Sequence, residues 1–318
     1  MMQYHGIYAE LIEQYITFKR SLGYALENIY TFSMFDRFTV ENNVSEIGLT
    51  REITDKWSEK RPNESDVTRY RRVNDIANFS KFMNHIGYTS YIPMQMKTYH
   101  STFTPHIFSR EELNGFFNAC DCLEITGYSN VMYILPAAFR MIYGCGLRAN
   151  EVLSLKCKDV NLEGKYIIIR NPKNGRDRML PLSNSLTNVC IRYRDCRLKV
   201  HDLEDYFFTK KDGTRCSTDT LYRWFRKILW KASIPHSGRG IGPRVHDLRH
   251  SFSVHSLEAM SKAGLDLYYS LPILSKYLGH QSLEATDKYV RLTSEMYPEL
   301  IIGVNNICAY VFPEVKLP

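Results

Sequence analysis

The stretch HDLRH, residues 246–250, decides how this chain is to be read. His246 and His250 stand four residues apart, the helical spacing of a zinc-binding pair. His246 and Arg249 stand three apart and would also share a helix face, an arrangement that grips a phosphate. A metal pair and a phosphate clamp belong to different enzymes. A catalytic zinc needs a third ligand and commonly a carboxylate base. The carboxylate here is Asp247, one residue after the first histidine, where the zinc-protease pattern carries Glu; no third ligand follows at a recognisable spacing. No metal and no cofactor are therefore expected. On a helix running from residue 246, Leu248, Phe252 and His255 would share the buried face, while His246, Arg249 and Ser253 would line another. His250 and His255 are accordingly expected to be scaffold.

Three other stretches bear on this one. GCGLRANE, 144–151, places Arg148 just after glycines, with Glu151 three residues on. KYIIIRNPKNGRDRMLPL, 165–182, reads as two β-rich runs around Asn174-Gly175, a hairpin-turn signal that presents Lys173. YLGHQSLEATDKYVRL, 277–292, places His280 after Gly279 and Tyr289 nine residues later.

The resulting set, Arg148, Lys173, His246, Arg249, His280 and Tyr289, suits phosphoryl transfer without a metal. A phosphodiester under attack gains charge on its non-bridging oxygens. Two guanidiniums bind those oxygens in fork geometry and stay charged throughout. In a water-poor site such donors lower the barrier by electrostatic preorganisation. Histidines add donors and move protons near neutral pH. A lysine on a hairpin can protonate the departing oxygen. Tyrosine serves as a covalent nucleophile, although with a pKa of about 10 it needs neighbouring cations to help remove its proton. Each residue also has a plainer use: Arg148 as a helix cap, Lys173 as a solvated turn lysine, Tyr289 as one of 22 tyrosines filling a core. Tyr277 and Tyr297 are the nearest rivals of Tyr289.

GLRANE, the Lys173 hairpin, HDLRH, LGH and a tyrosine nine residues after it occur in the order found in the tyrosine recombinases, or phage integrase family, which this chain resembles over most of its length. The resemblance implies a mainly α fold: an N-terminal helical (SAM-like, four-helix) core-binding domain, and a mixed α/β catalytic domain with a small antiparallel sheet. It implies that Arg148 and Arg249 clamp the scissile phosphate and that Lys173 is the general acid to the 5′ oxygen. His246 would assist proton transfer, His280 would donate to a phosphate oxygen, and Tyr289 would attack to give a 3′-phosphotyrosyl link. Glu151 would support Arg148. The partners implied are double-stranded DNA recombination sites and, on DNA, a homotetramer formed from monomers. Thirty residues separate Arg249 from His280, with extra material around MSKAGLDLYYSLP, 260–272. In this the chain resembles integrases of mobile elements more than housekeeping chromosome-dimer resolvases. A type IB topoisomerase uses nearly the same chemistry; the helical first domain and the histidine of HxxR favour a recombinase. A DNA-binding accessory factor without catalysis is a third reading, and the complete six-residue set speaks against it.

Periodicity divides the chain. Helical spacing runs through 7–22, 25–41, a short stretch after Thr50, and about 65–86, the last carrying Arg69, Arg71 and Arg72, expected on a solvated face. Residues 1–92 thus read as a helical arm domain and 93–108 as a linker; Ser109 opens SREEL, a capping box that starts a domain over 109–318. Further helices are expected at about 110–120, 129–144, 184–198 and 218–232. The tail VNNICAYVFPEVKLP is apolar for a terminus, with Ile307, Tyr310, Val311 and Phe312 together; the family resemblance implies that it docks on a neighbouring protomer, the alternative being that it folds back on its own domain.

Composition agrees with a globular DNA-handling protein. The net charge is +7, and residues 1–100 hold 12 basic and 12 acidic side chains, so all the excess lies after residue 100. No run of about 18 apolar residues suggests a spanning helix, and the N-terminal residues lack the apolar core of a signal peptide. Eight scattered cysteines without a CxxC pair fit reduced thiols, and a cytosolic protein is expected.

Overall fold

The computed structural model describes residues 4–24, 29–94, 96–97, 104–124, 129–170, 177–196, 202–238, 241–280 and 282–297. The chain divides into two compact units, Met1–Phe103 and Thr104–Pro318.

In the first unit the described residues form α1 (Ala9–Ser21), α2 (Tyr30–Glu41), α3 (Arg51–Ser58) and α4 (Asp66–His85). Thr50 and Ser65 start α3 and α4 by accepting the backbone N–H groups of Ile53 and Thr68, which a helix's first turn otherwise leaves unpaired. The core is aromatic: Tyr8, Tyr15, Phe32, Phe35, Trp57 and Phe79 are buried, and Phe35 meets Trp57 edge-on at 5.0 Å. Of the three α4 arginines expected on a solvated face, Arg71 is exposed, but Arg72 is buried. It turns inward because Glu64 and the carbonyls of Trp57 and Glu59 at the C-terminal end of α3 offer its guanidinium four hydrogen bonds.

The second unit begins with α5 (Arg110–Asp121), whose Ser109–Glu112 capping box is present, and α6 (Val131–Gly144), buried along most of its length. Phe108, within the stretch read as linker, lies in this unit's core. There follow α7 (Ala149–Leu153) and a three-stranded antiparallel sheet ordered β1 (Val160–Asn161), β2 (Tyr166–Ile169), β3 (Arg178–Pro181). The alternation of the strands buries Ile167, Ile169 and Leu180, and the register sets Arg178 opposite Ile169. The turn with Lys173, Asn174 and Gly175 lies outside the described residues, as does the C-terminal tail with Ile307, Tyr310, Val311 and Phe312.

The remaining helices are α8 (Asn184–Cys196), α9 (Thr218–Lys231), α10 (Val245–Lys262), α11 (Leu267–Leu278) and α12 (Glu284–Met296). Helix α10 carries HDLRH and packs against α6, α11 and α12. It is therefore not two-faced. Leu248, Arg249, His250, Ser253 and His255 are all buried, while Phe252 is only partly so, which corrects the division of faces expected from spacing. A helix enclosed on several sides loses the one-sided pattern that such a division relies on. The MSKAGLDLYYSLP segment is not an inserted loop: it forms the end of α10, a turn at Gly264 and the first half of α11. Val254, Leu257, Leu271, Leu274, Leu278, Tyr289 and Leu292 form one apolar cluster that ties α10, α11 and α12 together.

Candidate active site

The cationic side is built around one carboxylate. Arg148 is the N-cap of α7; its backbone N–H and one guanidinium nitrogen both donate to Glu151, at 2.9 and 2.8 Å. Arg178, brought in by β3, donates to both oxygens of the same carboxylate, at 2.8 and 3.3 Å. Burial alone would raise the Glu151 carboxyl, but Arg178 and Arg148 overcome it and hold it below the usual range. Arg249 comes from α10 and stops 3.8 Å short of Glu151. Its own donors go instead to the carbonyl of Gly146 at 2.6 Å, the carbonyl of Leu278 at 3.0 Å and Nε2 of His280 at 3.0 Å. Gly146 has to be glycine twice over: its φ is +58°, and a Cβ there would meet the Phe252 ring at 2.4 Å. Burial and the charge of Arg148 pull the Arg249 guanidinium down to about 10, so it keeps its charge at neutral pH.

His280 follows Gly279, whose φ of +68° ends α11 and turns the chain toward Arg249. A guanidinium can only donate, so the Nε2 facing Arg249 must accept, and the ring proton sits on Nδ1, which donates to Thr286 Oγ1 at 2.7 Å. In this arrangement His280 can donate to a phosphate oxygen only after it is protonated or changes tautomer. Asp247, the carboxylate nearest the histidine pair in sequence, faces the start of α10 and accepts the backbone N–H of Arg244 at 2.8 Å. It is a helix cap, the use that position N3 of a helix favours. Among the described residues no group of three or more His, Cys, Asp or Glu is placed to hold a metal ion.

The hydroxyl side is α12. Tyr289 is buried, with its ring stacked on His280 at 6.4 Å between centroids. Its Oη lies 2.8 Å from Nδ1 of His250, and Ser253 also hydrogen-bonds it. Burial raises the phenol, while Arg249, Ser253 and Arg148 pull the other way. Lys288 places Nζ over the Tyr289 ring at 5.1 Å; burial and Arg249 lower its ammonium. The imidazoles are neutral at pH 7. His246, although its side chain is exposed to solvent, is drawn down to about 4 by partial burial and then by Arg249, Lys288, Arg148 and Arg244. His280 is brought to about 4 by burial, Arg249 and Arg148.

Five of the six residues singled out from the sequence therefore meet in one place: Arg148, His246, Arg249, His280 and Tyr289. Lys173 lies outside the described residues. Tyr277, one rival of Tyr289, stacks on Phe252, and Tyr297 sits by Lys262. Sequence reasoning missed Arg178, Lys288 and the contact of His250. Lys288 had a signal, since it adjoins Tyr289; Arg178 had none short of the sheet register. His250, expected to be scaffold, touches the tyrosine oxygen. The reason is the path of α12, which returns across α10 one helical turn past His246.

Residues 108–296 match the phage integrase family. The chain is 35% identical over 163 residues to the tyrosine recombinase XerA of Pyrococcus horikoshii, a match spanning 51% of each chain. To the tyrosine recombinase XerD of Oceanobacillus iheyensis it is 25% identical over 303 residues, 86% of this chain and 95% of that one. Among solved structures, the Tn1549 transposon integrase in complex with transposon right end DNA superposes with a TM-score of 0.65 over 88% of this chain and 94% of that one; at 16% identity the likeness is one of fold. With the family match spanning more than half its length, the chain belongs to the phage integrase family and is a tyrosine-type site-specific recombinase.

Proposed function

We propose that this recombinase integrates or excises a mobile element, cutting and rejoining DNA through a 3′-phosphotyrosyl link on Tyr289. Arg148 and Arg249 clamp the scissile phosphate, His246 and His280 supply further contacts and proton transfer, and Lys173 protonates the departing 5′ oxygen. The observation that carries this reading is the enclosure of one tyrosine hydroxyl in a cluster with two arginines whose nearest carboxylate is already shared with Arg178. An added phosphate meets positive charge that the protein itself leaves uncompensated, and this is the condition for stabilising a charged transition state in a site with little water. The link retains the energy of the phosphodiester, so strand exchange needs neither ATP nor an essential metal.

The double-stranded DNA partner is supported by a second feature. Helix α9 exposes Arg223, Arg226 and Lys227 beside Trp230, which is 80% exposed, along an open groove that ends at His236. Cations interleaved with an aromatic ring suit a nucleic-acid backbone. On this reading residues 1–92 form the arm domain that grips DNA and 109–318 the catalytic domain, joined by the stretch 93–108, the end of which, at Phe108, packs into the catalytic domain's core. Monomers assemble as a tetramer on paired DNA sites, with the C-terminal tail docking on a neighbour. No helix among the described residues is long and apolar enough to cross a membrane, in keeping with action on DNA in the cytoplasm.

The test is to incubate the protein with random genomic fragments, trap covalent adducts and sequence the attached DNA. Adducts should form at a defined sequence and persist in a chelator, and Tyr289→Phe should abolish them while retaining salt-dependent DNA binding. Adducts formed by Tyr289→Phe would show that another residue is the nucleophile.

A further inference from the structure

We propose that His250 is the base that takes the proton from Tyr289, making it a second catalytic histidine of the HDLRH stretch. The proposal rests on the reading of Tyr289 as the nucleophile. Attack by a phenol requires that the Oη–H bond break as the Oη–P bond forms, so some group must receive the proton. His250 Nδ1 lies 2.8 Å from Oη, inside hydrogen-bond range. Both side chains are buried, at 6% and 1% exposure, so water has little access to take the proton instead. The other candidates stand elsewhere. The ring of His246 meets the ring of His250 edge-on at 4.7 Å, and among the described residues the imidazole hydrogen-bonded to Tyr289 is that of His250. Lys288 lies over the face of the tyrosine ring. Ser253 Oγ stands within hydrogen-bond reach of both the Arg249 carbonyl, at 2.9 Å, and Oη, and a neutral hydroxyl is a weak base.

The surroundings give this base a gate. His246, Arg249 and Arg244 from α10 and Lys288 from α12 face it, and with burial they hold its conjugate acid down to about 2. In the free protein the proton therefore stays on the tyrosine and the nucleophile is idle. A phosphodiester seated between Arg148 and Arg249 adds negative charge beside Arg249, Arg244 and Lys288 and raises the proton affinity of His250 when it is needed. The step balances within the complex. The neutral ring carries its proton on Nε2, and Nδ1 accepts the proton of Tyr289. The freed electron pair on Oη forms the bond to phosphorus, the P–O5′ bond breaks, and O5′ leaves with a proton from the general acid. In rejoining, the 5′ hydroxyl attacks, and His250 returns its proton to the departing Tyr289.

The experiment uses the full chain and the DNA fragment that the unaltered protein captures, prepared both with its normal scissile phosphate and with sulfur in the 5′-bridging position. A thiolate leaves without a proton, so the sulfur substrate reports on activation of the nucleophile alone. His250→Gln should slow adduct formation on both substrates by about 10²–10⁴-fold, the usual contribution of a positioned base, with DNA binding intact. Its rate should climb by about tenfold per pH unit above neutrality, since hydroxide must then take the proton. Added imidazole should restore part of the rate of His250→Ala, which keeps the test valid if glutamine perturbs packing. Rates within about threefold of the unaltered protein on the sulfur substrate, or a loss that shows neither the steeper pH profile nor imidazole rescue, would overturn the proposal. Failure of the unaltered protein to form any adduct would overturn the reading of Tyr289 itself, and this proposal with it.

Discussion

Arg72 in the first unit and Arg249 in the second are buried to the same degree, 2% and 1% exposed, and have opposite fates. Arg72 is fully answered by its own fold. Glu64 accepts from Nε and from one terminal nitrogen, both at 2.8 Å, the carbonyls of Trp57 and Glu59 take further donors, and the face of Trp57 lies 4.8 Å from the guanidinium. Arg249 receives carbonyls and an imidazole, which satisfy its hydrogen bonds without cancelling its charge, while the nearest carboxylate oxygen stands at 3.8 Å and already serves Arg148 and Arg178. Hydrogen-bond satisfaction and charge neutralisation are separate quantities. A scaffold arginine has both. An anion-binding arginine has the first without the second, and the difference is what a phosphate can use.

Three measurements would break or sharpen this contrast. The largest effect is expected from the pair Arg72→Met and Arg249→Gln. Removing Arg72 strands the buried Glu64 and should cost about 3–5 kcal/mol in urea unfolding, while adduct formation per folded molecule is retained. Removing the Arg249 charge should slow adduct formation by about 10²–10³-fold, as loss of one transition-state donor does. If both substitutions acted mainly on stability, the two arginines would be alike. A smaller effect is expected at Arg178. With Arg178→Gln, Glu151 is left to Arg148 and Arg249, the clamp is partly neutralised and displaced, and cleavage should fall on the order of tenfold with little change in DNA binding. An unchanged rate would remove Arg178 from the site.

The smallest effect is a pH dependence of stability. Burial, aided by neighbouring cations, pulls the imidazoles of His250, His255 and His280 well below their ordinary value of 6.5, the last two to about 4. The unfolded chain therefore binds protons that the folded one refuses. Stability is complete above about pH 6.5 and declines as pH falls toward 4. All three rings belong to the second unit, whereas His5 and His85 of the first are exposed. Hydrogen exchange at pH 7 and pH 5 should show loosening of α10–α12 before α1–α4, and bound DNA should reduce it. Equal loosening of both units would contradict the assignment.

Much of the architecture was legible because it follows from local rules. Ser109 and Glu112 mark the start of α5 through a capping box, and Asn174-Gly175 between β-rich runs predicts the β2–β3 pairing whatever the rest of the chain does. The five site residues that meet were found because their spacing is chemical as well as periodic. The burial of Arg72 and the Tyr289 contact of His250 were not legible, for one shared reason. Each residue faces a partner on a different element, Glu64 in one case and Tyr289, 39 residues away, in the other. Periodicity along a single helix carries no information about such a partner.

The sequence by itself determined which chemistry is available: cations, imidazoles and one well-spaced tyrosine, on helices whose caps and turns are written locally. The tertiary structure alone decided how that chemistry is wired. It set Glu151 between Arg148 and Arg178, left Arg249 charged, and brought the Tyr289 hydroxyl to His250. Local signals depend on neighbours in the chain, whereas electrostatic pairing depends on distance in space, and only the packing of α7, β3, α10 and α12 sets those distances.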